Sequence, residues 1–165
     1  MVYLTHAMEE RGAKVGSSTF SGNFSHTIDP KWRVTIPVSY RDKLGKKFTI
    51  SMNQQFNAIA IYPADVWGEY IERFKKVKVL DNKAMRYVNL LNANAFPDCD
   101  IDLQGRILLP PNLRQLAHLD KAIRFVGAVD VLEIWDESLY AQYMLDSMND
   151  KDDIIEHFNA AYYAD

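Results

Sequence analysis

Apolar and polar residues alternate from Phe24 to Ile28 and again from Arg33 to Ile36, the two-residue period of short, half-buried strands. Between them, Asp29-Pro30-Lys31-Trp32 reads as a turn, with Pro30 fixing φ and the Asp29 carboxylate able to bond backbone amides ahead of it. Pro37 ends the second strand, and Val38–Leu44 can form a short helix stopped by Gly45. Phe48–Ser51 and Ala58–Tyr62 predict further strands, joined by a polar loop holding Asn53, Gln54, Gln55 and Asn57. The same order then recurs: strands over Cys99–Leu103 and Arg106–Leu109, a helix after Pro110-Pro111, and strands over Ala122–Val126 and Val131–Trp135. Trp67, Tyr70, Ile71 and Phe74 recur at helical spacing and predict a helix over Val66–Val77 with Asp65 as N-cap. Asp81 is placed to cap a second helix striped by Met85, Val88, Leu90 and Leu91. Asp136 or Ser138 is placed to start a third through Tyr140, Met144 and Leu145, and Asn149–Asp153 to begin a fourth. These aromatic and methionine stripes read as core or interface, not as a cofactor site.

The recurrence is a register. Sliding the sequence by 73 residues sets Asp29-Pro30-Lys31-Trp32-Arg33-Val34-Thr35-Ile36-Pro37 on Asp102-Leu103-Gln104-Gly105-Arg106-Ile107-Leu108-Leu109-Pro110. The same shift sets Arg41 on Arg114 and Ala58–Tyr62 on Val131–Trp135, with no gap. A tandem duplication of a ββαββ unit follows, and with it an α+β chain. The expected units are a first repeat over 20–64, connecting helices over 65–94, a second repeat over 95–136 and an acidic helical segment over 137–165. Gly12, Gly16, Ser17 and Ser18 predict a mobile extension over 1–19.

Composition narrows the class. With 165 residues, 48% hydrophobic and 25% charged, the chain lies near the globular average, which excludes disordered, collagen-like and coiled-coil classes. No run approaches the roughly 18 apolar residues of a membrane span. Glu9 and Glu10 near the start do not fit a signal peptide, and the lone Cys99 excludes an intramolecular disulfide, so a soluble cytoplasmic protein is expected. The net charge of −3 conceals a split: 18 Lys and Arg against 12 Asp and Glu over 1–129, but Lys151 alone against ten acids over 130–165. A partner feels the local field and not the sum, so a basic body and an acidic tail carry more information than the total.

Motifs for catalysis are missing. There is no phosphate loop, no dinucleotide fingerprint, no His-Glu-x-x-His and no Cys-x-x-Cys, and His6, His26, His118 and His157 are scattered. Strand alternation would put Asp98, Asp100 and Asp102 on one solvated face and Cys99 on the other. The expectation is a non-enzyme that needs no cofactor, metal or small-molecule substrate. The twice-used Asp-x-x-x-Arg turn stands out instead. Lys31 and Arg33, and at equivalent places Gln104 and Arg106, are side chains that reach base edges and phosphates, and Arg41, Lys43, Lys46 and Lys47 add positive charge nearby. A two-stranded ribbon also fits a major groove. On spacing alone, DNA contact and simple closure of the turn by an Asp–Arg pair both stay open, and the two can coexist.

The run Phe20-Ser21-Gly22, Ile28 to Pro37 and Tyr40-Arg41 resembles the first repeat of the MraZ family of bacterial transcriptional regulators. Asp102 to Pro110, Leu113-Arg114, Val126-Gly127 and Glu133-Ile134-Trp135 resemble its second, so the likeness covers roughly residues 20–147. This resemblance implies an AbrB-like swapped-hairpin β-barrel with both halves in one chain. It also implies a ring-like homo-oligomer, nucleoid-associated, that binds double-stranded DNA at promoter direct repeats of the cell-division and cell-wall gene cluster. Carried over by position, Lys31, Arg33, Gln104 and Arg106 are the DNA contacts it implies. The family's turn usually reads Asp-Pro-Lys-Gly-Arg, and Trp32 stands here at the glycine position. Either the first turn has another shape, or Trp32 makes a contact of its own with sugar or base. The alternative functions are a swapped-hairpin antitoxin and a ring-forming interaction scaffold that does not touch DNA, with Trp32 the sign of that loss.

Overall fold

The computed structural model describes residues 19–163, so the expected mobile extension lies outside the described residues but for Thr19. The first repeat supplies β1 (Asn23–Thr27), β2 (Arg33–Thr35), α1 (Val38–Leu44), β3 (Phe48–Met52) and β4 (Ile59–Pro63). Helices α2 (Ala64–Lys75) and α3 (Asn82–Ala93) follow. The second repeat supplies β5 (Phe96–Cys99), β6 (Arg106–Leu108), α4 (Pro111–Leu116), β7 (Ala122–Ala128) and β8 (Val131–Asp136), and α5 (Glu137–Asn149) and α6 (Lys151–Tyr162) complete the chain.

The strands exchange partners between repeats. A six-stranded antiparallel sheet runs β1-β7-β8-β4-β3-β5, and β2 pairs with β6 in a separate two-stranded ribbon. Thus β1 of the first repeat lies on β7 of the second, β5 of the second lies on β3 of the first, and each repeat gives one strand to the ribbon. This is the swapped arrangement, within an α+β fold. The expected turn joins β1 and β2 without their pairing as a hairpin, and it is closed by Asp29 N–H to the Arg33 carbonyl at 2.9 Å. Alternation in a strand says which face is buried and leaves the partner open. Here the buried faces of both sheets meet in one core, where Val34 and Ile107 of the ribbon join Ile50, Ile61, Phe125 and Ile134 of the large sheet.

Helix starts follow local chemistry in part. Asp81 accepts a hydrogen bond from Ala84 N–H at 3.0 Å, and Asp136 accepts from Ser138 and Leu139, as expected of N-caps. Asp65 lies inside the first turn of α2, which starts at Ala64 after Pro63. Trp67 and Tyr70 of that helix meet the buried Tyr62 ring edge to face, so the stripe is packing. The buried Ser51 hydroxyl donates to the Leu91 carbonyl at 2.9 Å and ties α3 to β3.

The expected strand over Cys99–Leu103 forms three residues earlier. Asp98 takes a left-handed backbone (φ 58), the β3–β5 register shifts between Phe48 and Ile50, and Leu103 is wholly exposed in the second turn. The irregularity also disperses the acidic residues expected on one face. Asp100 pairs with Lys47 at 2.9 Å, while Asp102 closes the turn.

Candidate nucleic-acid interface

Each turn is built around one carboxylate. Asp29 Oδ1 accepts from the Lys31 and Arg33 amides at 2.8 and 2.9 Å, and Oδ2 from Arg33 Nε at 2.8 Å. Asp102 repeats the set on the Gln104 and Arg106 amides and on Arg106 Nε, all at 2.9 Å. Backbone N–H donation from Arg33 and Arg106 holds the two carboxyls below the usual carboxylate range, aided by the arginine side chains. An Asp two residues ahead of an amide makes this closure local, which is why the motif could be read from spacing.

Ribbon register then sets where the arginines point. Arg33 faces Leu108, Val34 faces Ile107, and Thr35 faces Arg106. Val34 and Ile107 are buried, so Arg33, Thr35, Arg106 and Leu108 share the outer face. Arg33 and Arg106 are diagonal neighbours, a relation that places residues about 7–8 Å apart and their Cβ atoms somewhat closer. The turns leave from opposite ends of the ribbon. In each arginine the Asp engages Nε, which fixes the guanidinium plane. At the second turn an Arg106 terminal nitrogen also donates to the Gln104 side-chain carbonyl, whereas the first turn sets Lys31 in that place, which has no acceptor to offer.

The position after the tip differs most. Gly105 has φ 79 and Trp32 has φ 62, and both accept the matching cross-ribbon bond, from Ile36 N–H at 2.8 Å and Leu109 N–H at 3.0 Å. The first turn therefore keeps the shape of the second, and Trp32 bears a left-handed strain of roughly 1–2 kcal/mol that glycine avoids. Arg41 lies flat on Gly105, where an added Cβ would sit 2.3 Å from its Cζ, and its Nε donates to the Ile36 carbonyl at 2.8 Å. Arg114, its equivalent, instead lies over the Trp32 indole with Cζ 4.0 Å from the ring centroid, and its buried Nε has no hydrogen-bond partner among the described residues. Each repeat thus braces the turn of the other.

Of the four expected DNA contacts, Lys31 and Arg33 come together at one end of the ribbon and Gln104 and Arg106 at the other, where Arg41, one of the candidate cations beside them, also lies. Lys43 is engaged elsewhere, donating to the Thr19 carbonyl at 2.9 Å. Arg114 escaped that reading, although the 73-residue shift pairs it with Arg41. Trp32's contact is with Arg114, within the chain. Among the described residues, no group of three or more His, Cys, Asp or Glu is placed to hold a metal ion. Burial pushes the Cys99 thiol up, which favours its protonated form.

Comparison with known proteins supplies the family. The family described as "MraZ protein, putative antitoxin-like" matches the chain in two copies, over residues 19–89 and 93–157. The chain belongs to the MraZ family. A "Transcriptional regulator MraZ" of Lachnoclostridium phytofermentans is 34% identical over 143 residues, covering 87% of this chain and 99% of that protein. One of Moorella thermoacetica is 38% identical over 124 residues, covering 75% and 85%. The two matched copies bear out the tandem duplication, and MraZ relatives are named as regulators of transcription, not as enzymes. Among the described residues, no helix is long and apolar enough to cross a membrane.

Proposed function

We propose that this MraZ chain is a sequence-specific DNA-binding regulator that engages promoter direct repeats as a ring-like homo-oligomer. Its target on this reading is the cell-division and cell-wall gene cluster, and its place is the cytoplasm, on the nucleoid. One observation carries the reading: two Asp-oriented arginines, Arg33 and Arg106, share the outer face of one ribbon. Oriented guanidinium groups suit bidentate contact with guanine edges, and Lys31 at the first tip suits a phosphate. The units over 20–64 and 95–136 each give one such turn. Lys31 leaves the first turn more cationic than the second, where Gln104 and Arg106 bond each other, so the first turn is the principal reader. Arg41 is a positioning residue under the second turn, and Lys43 adds general positive potential.

A single pair of turns neutralises few phosphates and binds weakly. Repetition in a closed homo-oligomer raises the effective concentration of each later contact and selects boxes repeated in one direction. Exposed apolar residues on α5 and α6, among them Tyr143, Met144, Met148, Ile154 and Phe158, support packing against a neighbouring copy. Those same helices favour the scaffold as the second reading. A salt titration of wild type, Arg33→Ala and Arg106→Ala against the fragment upstream of the protein's own gene and a scrambled fragment tests the proposal, alongside the mass in solution. Specific, salt-sensitive binding that fails in the variants is the expected result. Equal, feeble binding of all three proteins to both fragments overturns it and leaves the scaffold.

A further inference from the structure

Trp32 borders an open space beside the first turn. It is a groove of about 590 Å³ lined by Trp32, Pro111, Arg114, Gln115, His118 and Leu119. The 73-residue shift sets Gly105 on Trp32, and Val38, Asp42, Gly45 and Lys46 on Pro111, Gln115, His118 and Leu119. The second end therefore has an acidic residue where the first has an amide, and neither an indole nor an imidazole.

Among the described residues, the polar side chains that line the groove are a guanidinium, an amide and an imidazole, with no carboxylate. Arg114 is held there by the indole face, and no acidic partner engages it among the described residues. A guanidinium stacked in this way is pre-oriented for an oxyanion and keeps its charge at any relevant pH. Trp32 stands between Lys31 and Arg33 in the chain, so a ligand met by the turn lies next to the groove.

We infer that the Trp32–Arg114 groove is a phosphodiester-binding subsite, present at the first-repeat end of the ribbon alone. It grips the DNA backbone beside the bases read by the Arg33 turn. Arg114 is the contact, Trp32 the positioning residue, and Gln115 and His118 supply further donors. The inference rests on the DNA-binding reading above. It deepens that reading by reinforcing the direction of the pseudo-symmetric unit: equal ends would accept a box in either orientation, and this subsite adds to the inequality already set by Lys31 and Gln104.

The test titrates full-length wild type, Arg114→Gln, Arg114→Lys, Trp32→Gly and Arg33→Ala with the promoter and scrambled fragments over a salt series, with thermal melts of each protein. Arg114→Gln is expected to weaken binding to both fragments about tenfold and to lower the slope of log K against log salt by about one per engaged subunit. Arg114→Lys keeps that slope and loses part of the affinity, because a lysine does not stack as a planar fork. It also decides the matter if Arg114→Gln fails to fold. Trp32→Gly is expected to melt no lower than wild type and yet to bind as weakly as Arg114→Gln. Wild-type affinity and slope in the Arg114 and Trp32 variants, with preference lost in Arg33→Ala, overturn the subsite and leave the regulator standing. A wild type that prefers neither fragment overturns both. Protection of wild type by inorganic phosphate, without any change of DNA slope in Arg114→Gln, marks a plain anion site and overturns the DNA assignment.

Discussion

The two turns share one backbone and one carboxylate chemistry, yet they differ in what lies on them. At the second, glycine lets Arg41 settle flat on the chain and bond the Ile36 carbonyl, and Gln104 bonds Arg106, so the turn satisfies itself. At the first, Arg114 lies over the Trp32 ring and away from the equivalent place, its Nε has no partner among the described residues, and Lys31 stands beside Arg33. A duplicated unit can thus keep one copy as the internally satisfied partner and load the other with strain and unpaired donors. Such features persist where the surroundings over-determine them, and they cluster at binding sites.

Removing the arginines separately is the strongest way to break this comparison. Arg33→Ala is expected to weaken promoter binding about a hundredfold and Arg106→Ala about tenfold, within the range of one lost bidentate base contact. Equal losses in a gel-shift series would make the turns equivalent readers.

Stability separates the turns next. Gly105→Ala is expected to lower unfolding free energy by about 1–2 kcal/mol, from left-handed strain plus the displaced Arg41 bond. Trp32→Gly is expected to change it by less than about 1 kcal/mol, since relieved strain offsets lost stacking and added chain entropy. Urea unfolding of both variants checks the contrast, and a stable Gly105→Ala would deny the close contact with Arg41.

The smallest effect is one in which the turns should agree. Asp29 and Asp102 are held below the ordinary carboxylate pKa, so their contribution is complete above the unfolded value of about 3.9 and is lost as pH falls through the lower folded value. Following the Arg33 and Arg106 Nε–H resonances by NMR should show both turns opening together below about pH 4. Asp29→Asn should remove the transition at the first turn and leave the second intact.

Local chemistry made much of this molecule legible in advance. The Asp-x-x-x-Arg turns, the Asp81 and Asp136 caps and the helices after Pro37 and Pro110 depend on neighbours a few residues away, so their signals lie in short stretches of sequence. The strand expected over Cys99–Leu103 failed because its alternation continues through residues that belong to the turn, and a left-handed Asp98 breaks the register earlier. Arg33 and Arg106 stand out in the sequence by their spacing from an Asp. Their shared outward face does not, because it needs the pairing of β2 with β6.

By itself the sequence determined the repeat, its turns and caps, and the choice of side chains at each tip, since these follow from bonds and periods spanning only a few residues. Only the tertiary structure decided which strands of the two repeats pair, that Arg41 and Arg114 each brace the other repeat's turn, and that a groove lies beside Trp32. Those contacts join residues about one repeat length apart, and apolar alternation says that a face must be buried without saying against which strand.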